Sequence, residues 1–328
     1  MSGPLGISFA PGTRLALPDF RDLALLAEAQ GYDSLWVPET WGYDAVSLLA
    51  SLAPVTRSIR LASGVLTVYS RSPALLAQTA ATLQALSNHR FILGLGASGP
   101  IVIEGWHGVP YGRPLRRTRE VVDVVRLALS GARVDTSGSV FHLHGFRLAV
   151  PAHSVPIALA ALGPRNVTLA GEIADIWLPI FALRGQLPAA IAHLRAGERE
   201  AGRPPGTVLV APYVPALVGP RAESLLRRQL AYYVGGMGTF YARHLARAGF
   251  GDAVRRVRDL WTAGERGAAA AALGDDLLAR ATVGLSGDPR AALQGFRDEG
   301  ADLPILAIPH GAAAAEVADT VRALRPSV

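Results

Sequence analysis

The stretch GLGASGPIVIEGWHG, residues 94–108, follows the apolar run RFIL and opens with a letter-for-letter match to the dinucleotide fingerprint G-x-G-x-x-G. That fingerprint works when the loop opens a helix whose N-terminal amides face a pyrophosphate. Here Pro100 comes next, and Gly105, Gly108, Pro110, Gly112 and Pro114 crowd in behind it, so no helix is predicted before about Arg113. The stretch is therefore read as a strand tip whose glycines let backbone amides approach a phosphate, and not as a Rossmann turn.

The rest of the chain agrees with a parallel sheet. Short β-like runs alternate with amphipathic helical ones: LGISF, SLWVPE (34–39), IRLASGVL (59–66), RFILGLG (90–96), PIALAAL (156–162), DIWLPI (175–180), VLVAPYV (208–214) and LPILAIP (303–309) are the strands. DFRDLALLAEAQ, DAVSLLASLA, PALLAQTAATLQALS, RPLRRTREVVDVVRLALS and LPAAIAHLRAGEREA are helices between them, with Pro18, Pro73 and the pair Asp288-Pro289 as start signals. Eight such strands predict an α/β fold, a (β/α)8 TIM barrel, as a single domain over residues 1–328. Two stretches break the rhythm. Residues 134–150 alternate polar and apolar around Gly138 and Gly145, as a hairpin inserted after the fourth helix. Residues 221–287 form a helical insertion between strands seven and eight, where barrel loops build the active site. Its Tyr232, Tyr233, Phe240, Tyr241 and Trp261 offer aromatic surface for a flat or bulky substrate.

Composition excludes several classes of function. Half of the 328 residues are hydrophobic, enough for a sizeable core, and there is no cysteine for disulfides, thiolate metal sites or cysteine nucleophiles. Redox chemistry must then come from a bound cofactor. The net charge of +6 rests on 32 arginines without a lysine, spread along the chain among acids, so nucleic acid is not the expected partner. No apolar run approaches the ~20 residues of a membrane span, and the opening MSGPLGISFAPG is not a secretory signal; a soluble, cytoplasmic protein is expected. No G-x-S-x-G elbow occurs, which argues against a hydrolase, and His142 and His144 lack a nearby carboxylate to complete a metal site.

In a barrel, chemistry gathers at the C-terminal strand tips. The second tip carries Glu39 and Thr40, and the third carries Gly64, Val65 and Thr67. The fourth carries Gly96, Ala97, Ser98 and Gly99, and the fifth Gly163, Pro164, Arg165 and Asn166. The glycine-bearing fourth and fifth tips, on adjacent strands, would surround one anion with amides, and Arg165 would add a charge-assisted contact. Glu39 and Glu104 are the carboxylates expected to face the mouth, with His107 and His310 as the histidines near it.

GYDSLWVPETWGYDA, LASGVLTVYSRSPALLAQTAATLQALSNHRFILGLGASGP and VIEGWHGVPYGRPLRRTRE resemble the bacterial-luciferase-like superfamily, specifically its coenzyme F420 branch near the methylenetetrahydromethanopterin reductases. The resemblance continues through YYVGGMGTFYARHLARAGF and LARATVGLSGDP. It implies a deazaflavin or flavin ring in the barrel mouth against a bulge in the third strand, with a non-proline cis peptide at Gly64-Val65 and Thr67 touching the cofactor. It further implies that Gly96 to Gly99 and Gly163 to Asn166 bind the phosphate and tail. Glu39 falls where many relatives carry an aspartate against the ring, and homodimers are common. Sugar-phosphate dehydrogenases of this branch carry a histidine after that acid and a glutamate in the glycine loop, where this chain has Thr40 and Ser98 or Gly99, and they use lysines that it lacks. The resemblance thus implies hydride transfer between F420 and a polarised C=C or C=N bond of a small organic molecule, with Glu39, Glu104 or a water supplying the proton. An FMN-dependent monooxygenase and a non-catalytic cofactor-binding protein are the alternatives.

Overall fold

The computed structural model describes residues 3–285 and 288–327, so the last two positions of the expected 221–287 insertion lie outside the described residues. Among the described residues, eight parallel strands follow one another in chain order, counting each broken pair once. They begin with β1 (Gly6–Ser8), β2 (Ser34–Val37), the broken pair β3 (Arg60–Ser63) and β4 (Leu66–Thr67), and β5 (Phe91–Gly96). The antiparallel hairpin of β6 (Val134–Ser137) and β7 (His142–Phe146) comes next, as expected, with His142 and His144 exposed on it. The ring resumes with β8 (Ile157–Ala160), β9 (Ile176–Leu178), the split pair β10 (Leu209–Val210) and β11 (Tyr213–Pro215), and β12 (Ile305–Ala307). It closes at the seventh strand: β10 pairs with β9, β11 pairs with β12, and β12 pairs with β1. The chain is an α/β barrel of the (β/α)8 kind.

Helices follow the strands: α1 (Leu17–Ala29), α2 (Ala45–Leu52), α3 (Pro73–Leu86), α4 (Pro100–Gly105), α5 (Pro114–Leu129), α6 (Pro164–Ile173) and α7 (Leu187–Glu200). The insertion contributes α8 (Ala222–Gly236), α9 (Phe240–Leu245), α10 (Gly251–Thr262), α11 (Arg266–Ala271) and α12 (Asp275–Ala281), before α13 (Pro289–Asp298) and α14 (Ala314–Ala323). The early onset of α4 corrects the expectation that no helix begins before Arg113. Pro100 is the first residue of α4, where its missing N–H costs nothing because that amide would have no helical partner.

Apolar side chains sort into three buried clusters. Trp36, Ala62, Ile92, Ala158, Ile176, Ile305 and neighbours fill the barrel interior. Between strands and helices lies the main cluster, in which Leu35, Leu93 and Leu159 alternate with those inward positions along their strands. The insertion has a core of its own, built on Leu230, Val234, Leu245, Val257 and Leu277 and joined to the sixth strand tip through Phe181. No helix of the described residues is long and apolar enough to cross a membrane.

The third strand, read as one run from 59 to 66, is interrupted. Ala62 is the partner of Ile92 and Leu66 that of Leu95, so three residues on one side, Ser63, Gly64 and Val65, stand opposite two on the other. This is a β-bulge, and it contains the expected cis peptide at Gly64-Val65. The Ser63 hydroxyl replaces the interrupted ladder: it donates to the Gly94 carbonyl at 2.9 Å and accepts from the Gly94 amide at 2.8 Å. A Cβ on Gly94 would stand 1.9 Å from the Ser63 carbonyl oxygen. Gly94→Ala is therefore expected to destabilise the fold by about 3 kcal/mol, measured by urea unfolding; a change under about 1 kcal/mol would show that the bulge can yield.

Candidate active site

The tips of β2, β4, β5 and β8 enclose a cleft of about 680 Å³ at the C-terminal end of the barrel, roofed by α8 and α9. That volume suits a cofactor-sized ligand. Two of its walls share one construction. α4 starts after Gly99 and α6 after Gly163, each glycine in an extended conformation and each followed by proline, Pro100 and Pro164. The parent strands β5 and β8 are adjacent, so the two turns bring the unpaired second-position amides of their helices, those of Ile101 and Arg165, to one cleft. Arg165 stands exposed beside them with no hydrogen-bond or ion-pair partner among the described residues.

The glycines of residues 94–99 serve different purposes. Gly94 makes room for the Ser63 backbone, while a Cβ on Gly96 would lie 2.9 Å from Val65 Cγ2 and 3.3 Å from Ala160 Cβ. Gly99 meets nothing closer than the Phe240 ring at 3.5 Å and leaves its side of the cleft open. Gly64 is dictated from across the barrel, since its Cβ would be 2.0 Å from the Tyr213 hydroxyl. Burial pushes that phenol far above the ordinary tyrosine range, and its hydroxyl has no hydrogen-bond partner among the described residues.

Glu39 lines the cleft, yet both of its oxygens accept hydrogen bonds from Arg71, at 2.7 and 2.8 Å. The same guanidinium donates to Asp44 at 2.6 Å, and Asp44 in turn caps α2 by accepting from the Ser47 amide at 2.7 Å. One arginine from the third loop thus holds the second loop at two points, with Glu39 as an anchor. The Arg71 and Glu39 side chains are only 14% and 15% exposed, so solvent screens the pair little. Above Thr40, Trp41 stacks edge-on against Trp106 at 6.0 Å and donates to the Tyr232 hydroxyl at 3.0 Å, which joins this loop to α4 and to α8.

All thirteen residues expected to surround the cofactor line this one cleft: Glu39, Thr40, Gly64, Val65, Thr67, Gly96 to Gly99 and Gly163 to Asn166. His107 lines it as well. Glu104 does not: it is exposed, and its carboxylate accepts from the Tyr111 amide at 3.0 Å, because the unexpected α4 turns it away from the mouth. His310 follows β12 but is not part of the lining either. The sequence reading missed Arg71, Tyr111, Tyr213, Met237, His244 and Arg247. The signal for Arg247 was present in YARHLARAG, where it stands four residues after Arg243, the spacing that puts two residues on one face of a helix.

Comparison with known proteins agrees with this geometry. The luciferase-like monooxygenase family model matches residues 6–303. A Mycobacterium tuberculosis protein named as a coenzyme F420-dependent oxidoreductase is 34% identical over 287 residues, 80% of this chain and 82% of its own length. The 5,10-methylenetetrahydromethanopterin reductase of Methanolobus tindarius is 32% identical over 235 residues, 70% and 71% of the two chains. Among solved structures, the coenzyme F420-dependent tetrahydromethanopterin reductase of Methanopyrus kandleri has the same fold, with a TM-score of 0.82 over 99% of both chains at 21% identity. From its bulged third strand to its paired glycine-proline turns, the chain belongs to the luciferase-like monooxygenase family.

Proposed function

We propose that this protein is a coenzyme F420-dependent oxidoreductase that transfers a hydride between the deazaflavin and a polarised C=C or C=N bond of an organic substrate. The observation that carries this reading is the convergence of the two glycine-proline helix starts, Arg165 and the neighbouring Gly64-Val65 bulge on one cleft. The relative at 34% identity is named for coenzyme F420, which favours the deazaflavin over FMN. Bound in the cleft, F420 supplies a carrier that gives or takes a hydride at C5 of its ring.

The residues of the chain would do the rest. Free amides at the two turns, with the Arg165 guanidinium, hold the phosphate and tail. Gly64, Val65 and Thr67 form the wall for the ring, and side-chain-free Gly99 lets it approach the backbone. Tyr233, Phe240 and Tyr241 from α8 and α9 cover the cleft and exclude water from the reacting atoms. We also read the protein as a cytoplasmic homodimer; exposed Leu17 on α1 and Leu75 and Leu86 on α3 offer apolar contact on its early helices.

Titration followed by tryptophan fluorescence tests the cofactor. F420 is expected to quench and FMN to leave the signal unchanged; tight FMN binding without a response to F420 would overturn the reading. Arg165→Ala is expected to weaken F420 about tenfold while leaving 5-deazariboflavin, which has no phosphate, unaffected. Glu39→Gln should lower stability by about 2 kcal/mol in urea unfolding, because it loosens the Arg71 pairing. Oxidation of reduced F420 by conjugated enones or cyclic imines should then survive; a loss of ~10³ in rate would make Glu39 the proton donor instead.

A further inference from the structure

One carboxylate and two imidazoles line the cleft: Glu39, His107 and His244. Glu39 is engaged by Arg71, and the His107 ring has no partner to hold it among the described residues. His244 differs from both. It sits on α9, half-buried, with Nε2 3.0 Å from the carbonyl oxygen of Phe181. A carbonyl only accepts, so Nε2 carries the proton and Nδ1 is the bare nitrogen. Nδ1 has no partner among the described residues and is not among the polar atoms sealed inside the protein, so solvent reaches it on a residue that lines the cleft.

The support behind this imidazole is rigid. Phe181 follows the sixth strand with a left-handed backbone, φ 53°, and its ring packs edge-on against Tyr233 at 5.0 Å and Tyr241 at 5.8 Å. Those two phenols are 4.8 Å apart and complete a wall with no carboxylate on it. The charged and titratable groups around His244 are Arg243 and Arg247 along its own segment, Tyr241 beside it and Tyr233 from α8.

We propose that Nδ1 of His244 exchanges the proton that accompanies hydride transfer. The inference rests on the F420 reading above. In reduction, one carbon of the substrate C=C or C=N bond accepts the hydride, with two electrons, from the reduced deazaflavin. The π electron pair of that bond then forms a new C–H or N–H bond with the proton from Nδ1. The imidazolium becomes neutral imidazole, its Nε2–H still on the Phe181 carbonyl, and regains a proton from water at the rim. In oxidation the neutral imidazole takes the proton back. Burial, with a further contribution from Arg247, keeps the imidazole pKa below the ordinary histidine value, while the Phe181 contact partly offsets this. A proton placed on Nδ1 is therefore readily given up.

The test uses the full chain with F420 and two probe acceptors, 2-cyclohexen-1-one and 1-pyrroline. His244→Gln keeps a donor for Phe181 but cannot transfer a proton; His244→Asn is the second variant. Both are expected to leave F420 affinity within about twofold and to lower kcat about a hundredfold or more. The wild type should lose reductive kcat/KM about tenfold per pH unit above a pKa under 6.5, and the variants should lose that dependence. Histidine 15N NMR of the cofactor-free protein, with the signal assigned from the variants, should show Nε2 protonated and Nδ1 bare. A wild-type pH profile retained in His244→Gln, or a proton on Nδ1 rather than Nε2, overturns the inference. Failure of the wild type to bind F420 counts against the proposed function instead, and the NMR result still decides the state of the imidazole.

Discussion

The reciprocal hydrogen bonds between the Ser63 hydroxyl and the Gly94 backbone hold the third strand to the fourth where the ladder between them is interrupted. An unpaired N–H and C=O at that depth would each carry a desolvation cost, and one serine side chain answers both. The consequence is spatial. The extra residue of the bulge carries Val65 over Gly96 and brings Gly64 under the Tyr213 hydroxyl, so the floor and one wall of the cleft are shaped by the same irregularity. A straight third strand would continue the barrel lining and leave no such wall.

A second constraint keeps the mouth open in a defined shape. Arg71 reaches from the third loop to Glu39 and to the cap of α2, and Trp41 links the second loop to α8 and, through Trp106, to the end of α4. Charge-assisted hydrogen bonds with little solvent exposure hold loop geometry better than apolar contact alone, because their direction is specified. The insertion, with its own apolar core, then acts as a rigid roof whose inner face carries aromatic rings and one anchored histidine.

Much of this was legible residue by residue. Alternation of β-like and amphipathic runs reported the barrel, because each strand and helix buries one face against the next layer and leaves that period in the chain. The hairpin was visible in the alternation of residues 134–150 and in Gly138 and Gly145. The strand tips carried most of the cleft lining, since parallel strands of a barrel all end on the same side. Pro100 misled, because proline at the first position of a helix and proline ending one are the same letter. Glu104 was misplaced for that reason: a six-residue helix rotates it out of the mouth.

The sequence by itself determined the class of fold, the order of the strands and which tips would meet at the mouth, because these follow from local periodicity and from connections of fixed hand. It also determined that GLGASG would bring backbone close to something. Only the tertiary structure decided what each of those glycines approaches: the Ser63 carbonyl for Gly94, the Val65 side chain for Gly96, and open cleft for Gly99. Only it decided that Glu39 is engaged by an arginine thirty-two residues away, and that the anchored histidine of the cleft comes from the insertion. The physical reason is common to all three. Close approach and ion pairing are relations between segments distant in the chain, and no local pattern of residues encodes the partner.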